Sequence, residues 1–301
     1  MKLSLCCISN ILAEQGIKFR TMTYKSYSSM NREDALLKLS GIIRNNFSTT
    51  HKVMEHCVKS GIKGYRVSSD LMPVLNHPNV LMQVEDLPEY GFIDYEIKKI
   101  KRFIAENDLK VSAHPSEYIT LTTGDESAIK NSILDLETHA KIFDWFGLPQ
   151  DYSAPLNIHC RKDGEPDVIS NAFMSNYDKL SDSVKNRLVI EVNDNVKGVW
   201  SVKNLVKYFY EPHSIPITFD TLHHKFLHGD LSDKDAFELA YSTWDTTPVF
   251  HYSEGKGDTR NHADMAQGIP DSYGHDVVWD VELKSKDYAI LDILERAKVT
   301  I

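Results

Sequence analysis

Eight short runs rich in β-branched residues recur along the chain, and most are followed by a stretch with apolar residues at helical spacing. The runs are LSLCCIS from Leu3, GYRVSS from Gly64, KVSAHP from Lys110, PLNIHC from Pro155, RLVIEVN from Arg187, PITFDT from Pro216, PVFHYS from Pro248 and VVWDVEL from Val277. Each has strand length and is bounded by polar, Gly or Pro residues. Between them the spacing predicts helices over Asn31 to Lys59, Tyr95 to Glu106, Glu126 to Phe146, Ala172 to Leu180, Val202 to Tyr210, Lys234 to Ser242 and Lys286 to Ala297. Strand alternating with helix demands a parallel sheet covered by helices. Eight such repeats point to an α/β fold of the closed (β/α)8 TIM-barrel type rather than an open sheet. The chain of 301 residues is one barrel in length, and no linker or low-complexity block divides it, so residues 1–301 read as a single domain. The seventh unit is irregular: Glu254 to His275 is rich in Gly and Asp and reads as a long loop, a kind of segment that is usually functional or disordered.

In such a barrel, catalytic groups sit at the C-terminal strand ends. Here those ends carry His114, His159, Glu191, Asp220 with His223, His251 and Glu282, and the loop after strand seven adds His262. One histidine alone is more often a satisfied rim residue than a ligand. Six consecutive strands each delivering a ligand type to one rim are a different matter. Imidazole with carboxylate suits Mn²⁺, Zn²⁺ or Fe²⁺, and the absence of Cys from the set argues against a structural zinc. The set is too large for one ion. Glu191, in its middle, is placed to bridge two, while Asp220 and His223 are spaced to face adjacent ions. His77, after strand two, opens on the same rim. The remaining histidines fall in predicted helices, loops or element ends and take the ordinary packing role.

The net charge of −9 is unusual for a nucleic-acid binder. Bound divalent ions would offset much of it locally. The four cysteines, Cys6, Cys7, Cys57 and Cys160, form no CxxC pair and suggest a reducing compartment. The N-terminus lacks a cleavage pattern, and no stretch approaches the roughly 18 apolar residues of a membrane span, so a cytoplasmic or otherwise intracellular monomer without signal peptide or membrane partner is expected. No GxGxxG, P-loop or GxSxG is present.

At these residues the chain resembles the UV damage endonuclease family, whose barrel is similar to those of endonuclease IV and the xylose isomerase-like proteins. The matching segments are RVSSDLMP (Arg66 to Pro73), SAHPSEY (Ser112 to Tyr118), LVIEVND (Leu188 to Asp194), FDTLHH (Phe219 to His224), VFHYSEG (Val249 to Gly255), NHAD (Asn261 to Asp264) and VELKSKD (Val281 to Asp287), in the family's order over nearly the whole chain. The resemblance implies a metal-dependent endonuclease that cuts duplex DNA 5′ to UV photoproducts. It implies metal ligands at His114, His159, Glu191, Asp220, His223, His251, His262 and Glu282, holding two to three ions, manganese by family preference. Glu191, His251, Glu282 and His77 are then the catalytic set. Asn10, Glu117, Tyr118 and Arg66 are expected at the damaged DNA, and Arg161, Lys162, Lys197, Lys256 and Arg260 at phosphates. Three positions depart from the family pattern. Val249 replaces a modified lysine two residues before the strand-seven histidine, so that one metal is expected to lose a ligand, to take water in its place or to bind more weakly. Glu117 replaces the Gln of a Gln–Tyr probe, and Cys6 replaces a Tyr. The competing classes are a sugar isomerase or epimerase on the same barrel and a catalytically weakened binder of damaged DNA.

Overall fold

In the computed structural model, which describes residues 1–160 and 163–299, all eight expected strands form: β1 Lys2–Cys6, β2 Gly64–Val67, β3 Lys110–Ala113, β4 Leu156–His159, β5 Leu188–Glu191, β6 Ile217–Thr218, β7 Val249–Tyr252 and β8 Val278–Val281. Every pairing is parallel, in the order β6-β5-β4-β3-β2-β1-β8-β7. The ends of that order meet just beyond β6, through a parallel bridge between Asp220 and His251 and a 2.9 Å bond from the His251 amide to the Phe219 carbonyl. The barrel therefore closes at the level of two expected ligands.

The helices that follow the strands pack outside, among them α1 Arg32–Lys59, α2 Tyr90–Asn107, α3 Glu126–Trp145, α4 Pro166–Tyr177, α5 Val202–Leu205, α6 Asp233–Tyr241 and α7 Asp287–Val299. α1 begins where Asn31 accepts from the Asp34 amide, with Glu33 and Asp34 in the first turn and Lys59 in the last, as the helix dipole favours. Two helices start earlier than their periodicity indicates. α2 opens at Tyr90 and α4 at Pro166, a residue whose fixed φ suits a first turn and whose missing N–H costs nothing there. The segment after α5 runs on as a π-helix, Val206–Tyr210. Between β7 and β8 no helix forms; the expected long loop is held by a short bridge between Gly255 and His262.

The strands sort their side chains by face, as a period of two requires. Leu3, Leu5, Tyr65, Val67, Val111, Leu156, Ile158, Leu188, Ile190, Phe250, Trp279 and Val281 are buried apolar residues of the main core beneath the helices. The alternate positions face the barrel interior and are polar to an uncommon degree: Ser4, Ser112, Asn157, Glu191, Thr218, Asp220, His251 and Asp280 are all buried. Buried polar groups call for partners, and some of these find them across the lumen. Ser112 on β3 donates to Asp280 on β8 at 2.8 Å, and Arg66 on β2 pairs with Glu282 just after β8.

At the opposite end of the barrel, Lys110 reaches from β3 to the Thr247 carbonyl before β7, at 3.1 Å. Burial pushes this ammonium down to about 8. An unfolded lysine titrates near 10.4. Below about pH 8 the side chain is charged in both states and folding bears the whole desolvation cost. As pH rises from about 8 to 10.4 the folded chain binds fewer protons than the unfolded one, and the cost fades. Lys110→Met is therefore expected to raise unfolding stability at pH 7 by roughly 1–3 kcal/mol, with a smaller gain at pH 10. Urea titrations at the two pH values check this; equal gains would contradict it.

Candidate metal centre at the C-terminal rim

Glu191 closes β5 and is fully buried. Four imidazoles surround its carboxylate. Oε2 lies 3.0 Å from His114 Nε2 and 3.6 Å from His159 Nε2; Oε1 lies 3.1 Å from His251 Nδ1 and 3.2 Å from His223 Nδ1. Asn157, two residues before His159 on the same face of β4, donates from Nδ2 to Oε2 and fixes the carboxylate plane. Asp220 caps a short helix, Thr221–Phe226, accepting from the His223 amide at 2.6 Å. That cap explains the spacing of three between them: it turns the His223 ring toward Glu191. His223 Nδ1 is also 3.0 Å from the Val192 carbonyl.

Three groups of donors each lie close enough to hold one ion: His114, Glu191 and His251; His159, Glu191 and His223; Asp220, His251 and Glu282. Glu191 and His251 each serve two groups, and Asp220 and His223 fall in different ones. Seven of the eight expected ligands are thus brought together. The eighth, His262, is placed by the β7–β8 loop with Nε2 3.7 Å from Glu282 Oε2, at the outer edge of the cluster.

The donor chemistry fits cations. His114 Nδ1 lies 2.9 Å from the Pro115 carbonyl, which can only accept, so the ring donates there. The Nε2 lone pair of the neutral ring then faces Glu191 Oε2, also an acceptor, at 3.0 Å. Likewise His251 Nδ1 and Glu191 Oε1 are buried without a hydrogen-bond partner although only 3.1 Å apart. Such pairs need a shared positive charge, supplied by a proton or a metal. The titration directions agree. Burial pushes Glu191 up, but the close rings of His251, His159, His114 and His223 outweigh it and hold the carboxyl well below its usual range. Burial pushes His251 down, and Glu191 with Glu282 override it, raising the ring to about 9. His223 is likewise raised against its burial, by Asp220 and Glu191. The pocket is short of positive charge.

The residues expected at DNA are spread around this centre. Tyr118, in the loop after β3, is 82% exposed and projects from the rim. Glu117 lines a groove of about 620 Å³ with His159, Asp194, His223, Phe226 and Arg260. Arg260 lies 3.5 Å from Asp194. Lys197 and Lys256 are exposed. Asn10 opens the short helix after β1, its amide bonded to Asp287 Oδ1 at 2.9 Å. Arg66 points into the barrel, its guanidinium against Glu282, one of the rim's donors. His77 sits apart from the three donor groups, its ring stacked on Tyr24 with centroids 4.0 Å apart and planes at 7°. Val249 is buried on the face of β7 that carries His251, and Cys6 is buried at the end of β1. Arg161 and Lys162 lie outside the described residues. Sequence reasoning missed Asn157 and Asp280. Each stands two residues before a named ligand, a spacing that places it on the same face of its strand.

An eight-stranded parallel barrel whose C-terminal rim gathers imidazoles around buried carboxylates defines a class of enzymes that act through that rim. The model of the UV-endonuclease UvdE family matches residues 1–300, and the chain belongs to this family and is, by membership, an endonuclease. A UV DNA damage endonuclease of Nostoc sp. is 26% identical over 303 residues, which cover 96% of this chain and 88% of the relative. The crystal structure of SacUVDE superposes with a TM-score of 0.83 at 27% identity, covering 100% of this chain and 99% of that one. Endonuclease IV from Thermus thermophilus shares the fold, with a TM-score of 0.58 at 15% identity over 83% of this chain and 93% of that one.

Proposed function

We propose that the chain hydrolyses the DNA phosphodiester 5′ to UV photoproducts, pyrimidine dimers and 6-4 photoproducts, in duplex DNA, as an initiating step of excision repair. The observation that carries this reading is the buried carboxylate of Glu191 inside four imidazoles at the barrel's C-terminal end. Two to three divalent ions, manganese by family preference with zinc or iron as alternatives, would acidify a bound water and stabilise the charge of the leaving oxygen. His114, His159, Glu191, Asp220, His223, His251 and Glu282 would hold them, with His262 at the edge.

The chain's own side chains do the rest. Asn157 keeps Glu191 in one orientation, and Pro115 and Val192 carbonyls fix the rings of His114 and His223. A lesion stacks poorly in the duplex, so extruding it costs less than extruding an intact base. Tyr118, exposed at the rim, supplies an aromatic face for the gap. Asn10 and the groove beside Glu117 line the path of the damaged strand, and Lys197, Lys256 and Arg260 contact phosphates. Glu117, an anion where the family has a Gln, weakens that contact and shifts lesion preference.

The test is nicking of UV-irradiated and untreated supercoiled plasmid with added Mn²⁺. The expected result is relaxation of the irradiated plasmid alone. Equal nicking of both would remove the lesion specificity and leave a nuclease. Binding of irradiated plasmid without nicking would leave a damage binder, and turnover of a ketose without nicking would leave an epimerase.

A further inference from the structure

The rings at the centre differ in which nitrogen they turn inward. His114 holds Nδ1 against the Pro115 carbonyl at 2.9 Å and turns Nε2 to Glu191 Oε2 at 3.0 Å, so its lone pair lies on Nε2. His251 is reversed. Its Nδ1 is the atom 3.1 Å from Glu191 Oε1 and 3.5 Å from Glu282 Oε1. A lone pair on Nδ1 requires the proton on Nε2. The group facing Nε2 is the carboxylate of Asp280, with Oδ2 3.9 Å away.

Asp280 is well placed to set that choice. It is the direct cross-strand partner of His251 in the β7–β8 pairing. It is 1% exposed, Ser112 Oγ anchors its Oδ2 at 2.8 Å, and its Oδ1 is buried without a partner. The layer beneath on the same two strands is Val249 paired with Val278, which offer no polar atom. In an interior of low dielectric, a carboxylate at this range favours the tautomer that points N–H toward it.

We propose that Asp280, braced by Ser112, is the positioning residue of His251: it selects the Nε2–H tautomer and thereby aims the Nδ1 lone pair at the space shared by Glu191 and Glu282. This rests on the reading of the rim as a metal centre. A family member with Val249 in place of a modified lysine depends the more on His251, because the aliphatic side chain gives no oxygen from that strand.

The direct test is histidine-selective ¹⁵N NMR of the Zn²⁺-loaded full chain, with the His251 signals assigned by their loss in His251→Gln. Nε2–H with Nδ1 bound is expected; Nδ1–H would overturn the proposal whatever any variant does. Mn²⁺ titrations followed by electron paramagnetic resonance supply the second readout. Asp280→Leu is expected to lower the affinity of one class of site about 10–100-fold. Asp280→Asn, which keeps an oxygen dipole facing Nε2–H but removes the charge, is expected to fall between it and wild type. Wild-type affinity in folded Asp280→Leu would overturn the proposal. If Asp280→Leu does not fold, Ser112→Ala takes its place, with a smaller expected loss and the same contrary outcome. A wild-type chain that binds neither ion would remove the metal centre itself, whereas ions bound through the wrong tautomer would remove only the role of Asp280.

Discussion

Replacing Glu191 by Gln is expected to abolish nicking of irradiated DNA, with a loss on the order of 10³-fold or greater. The size follows from the position. This carboxylate is shared by two of the three donor groups and touches four rings. Gln keeps the shape but removes the charge that offsets two cations, and its amide NH₂ confronts rings that need an anion. The carboxamide also presents one acceptor where two are used, since Oε1 and Oε2 face different pairs of imidazoles. A loss below tenfold in folded protein, measured as initial nicking rate at saturating Mn²⁺, would contradict a central role. Substitution of His262, at the outer edge of the cluster, is the natural comparison and is expected to cost less.

The second large effect concerns stability. The Arg66 side chain is only 11% exposed, with its guanidinium against Glu282. Burial disfavours the charged carboxyl of Glu282, but Arg66 and then His251 hold it well below its usual range. Arg66→Met leaves that carboxylate in the barrel interior without its guanidinium. Breaking a buried pair by removing one partner costs about 3–5 kcal/mol. A divalent ion at the Asp220, His251 and Glu282 group would return positive charge to the same carboxylate. Arg66→Met is therefore expected to be strongly destabilised in EDTA and to recover part of the difference in saturating Mn²⁺, as ligand linkage requires. Urea melts with and without metal measure both halves. A variant equally stable to wild type in EDTA would remove Arg66 as the partner of Glu282. A deficit unchanged by Mn²⁺ would mean that wild type and variant bind the cation equally well, so that it does not take over the role of Arg66.

Much of the barrel was legible because its strands obey two rules at once. LVIE of β5 shows Leu188 and Ile190 for the helices and Glu191 for the lumen, and VFHY of β7 does the same with Phe250 and His251. The polar residue at each strand end marked both the strand's direction and the site. The ring of donors was legible for the same reason. What escaped was whatever depends on contacts between distant strands. Arg66 reads from sequence as one more basic residue for DNA, and only the barrel's closure puts it against Glu282, 216 residues later. His77 follows strand two as expected, yet its loop turns the ring onto Tyr24. Asn157 and Asp280 stand two residues before His159 and Glu282, a spacing that puts them on the ligand face, but their partners, Glu191 on β5 and Ser112 on β3, lie on other strands. The early start of α4 at Pro166 was hidden because its first turn carries Asp167 and exposed Val168 rather than a helical apolar stripe.

The central claim, that the strand ends build one polynuclear metal centre around Glu191, is tested most directly by elemental analysis of the purified chain beside Glu191→Gln. Two to three equivalents of divalent metal per wild-type chain are expected, a range set by the ligand count and by multi-metal phosphoesterase precedent, with most of it lost in the folded variant. One equivalent or less in the wild type, or the same content in both proteins, would contradict it.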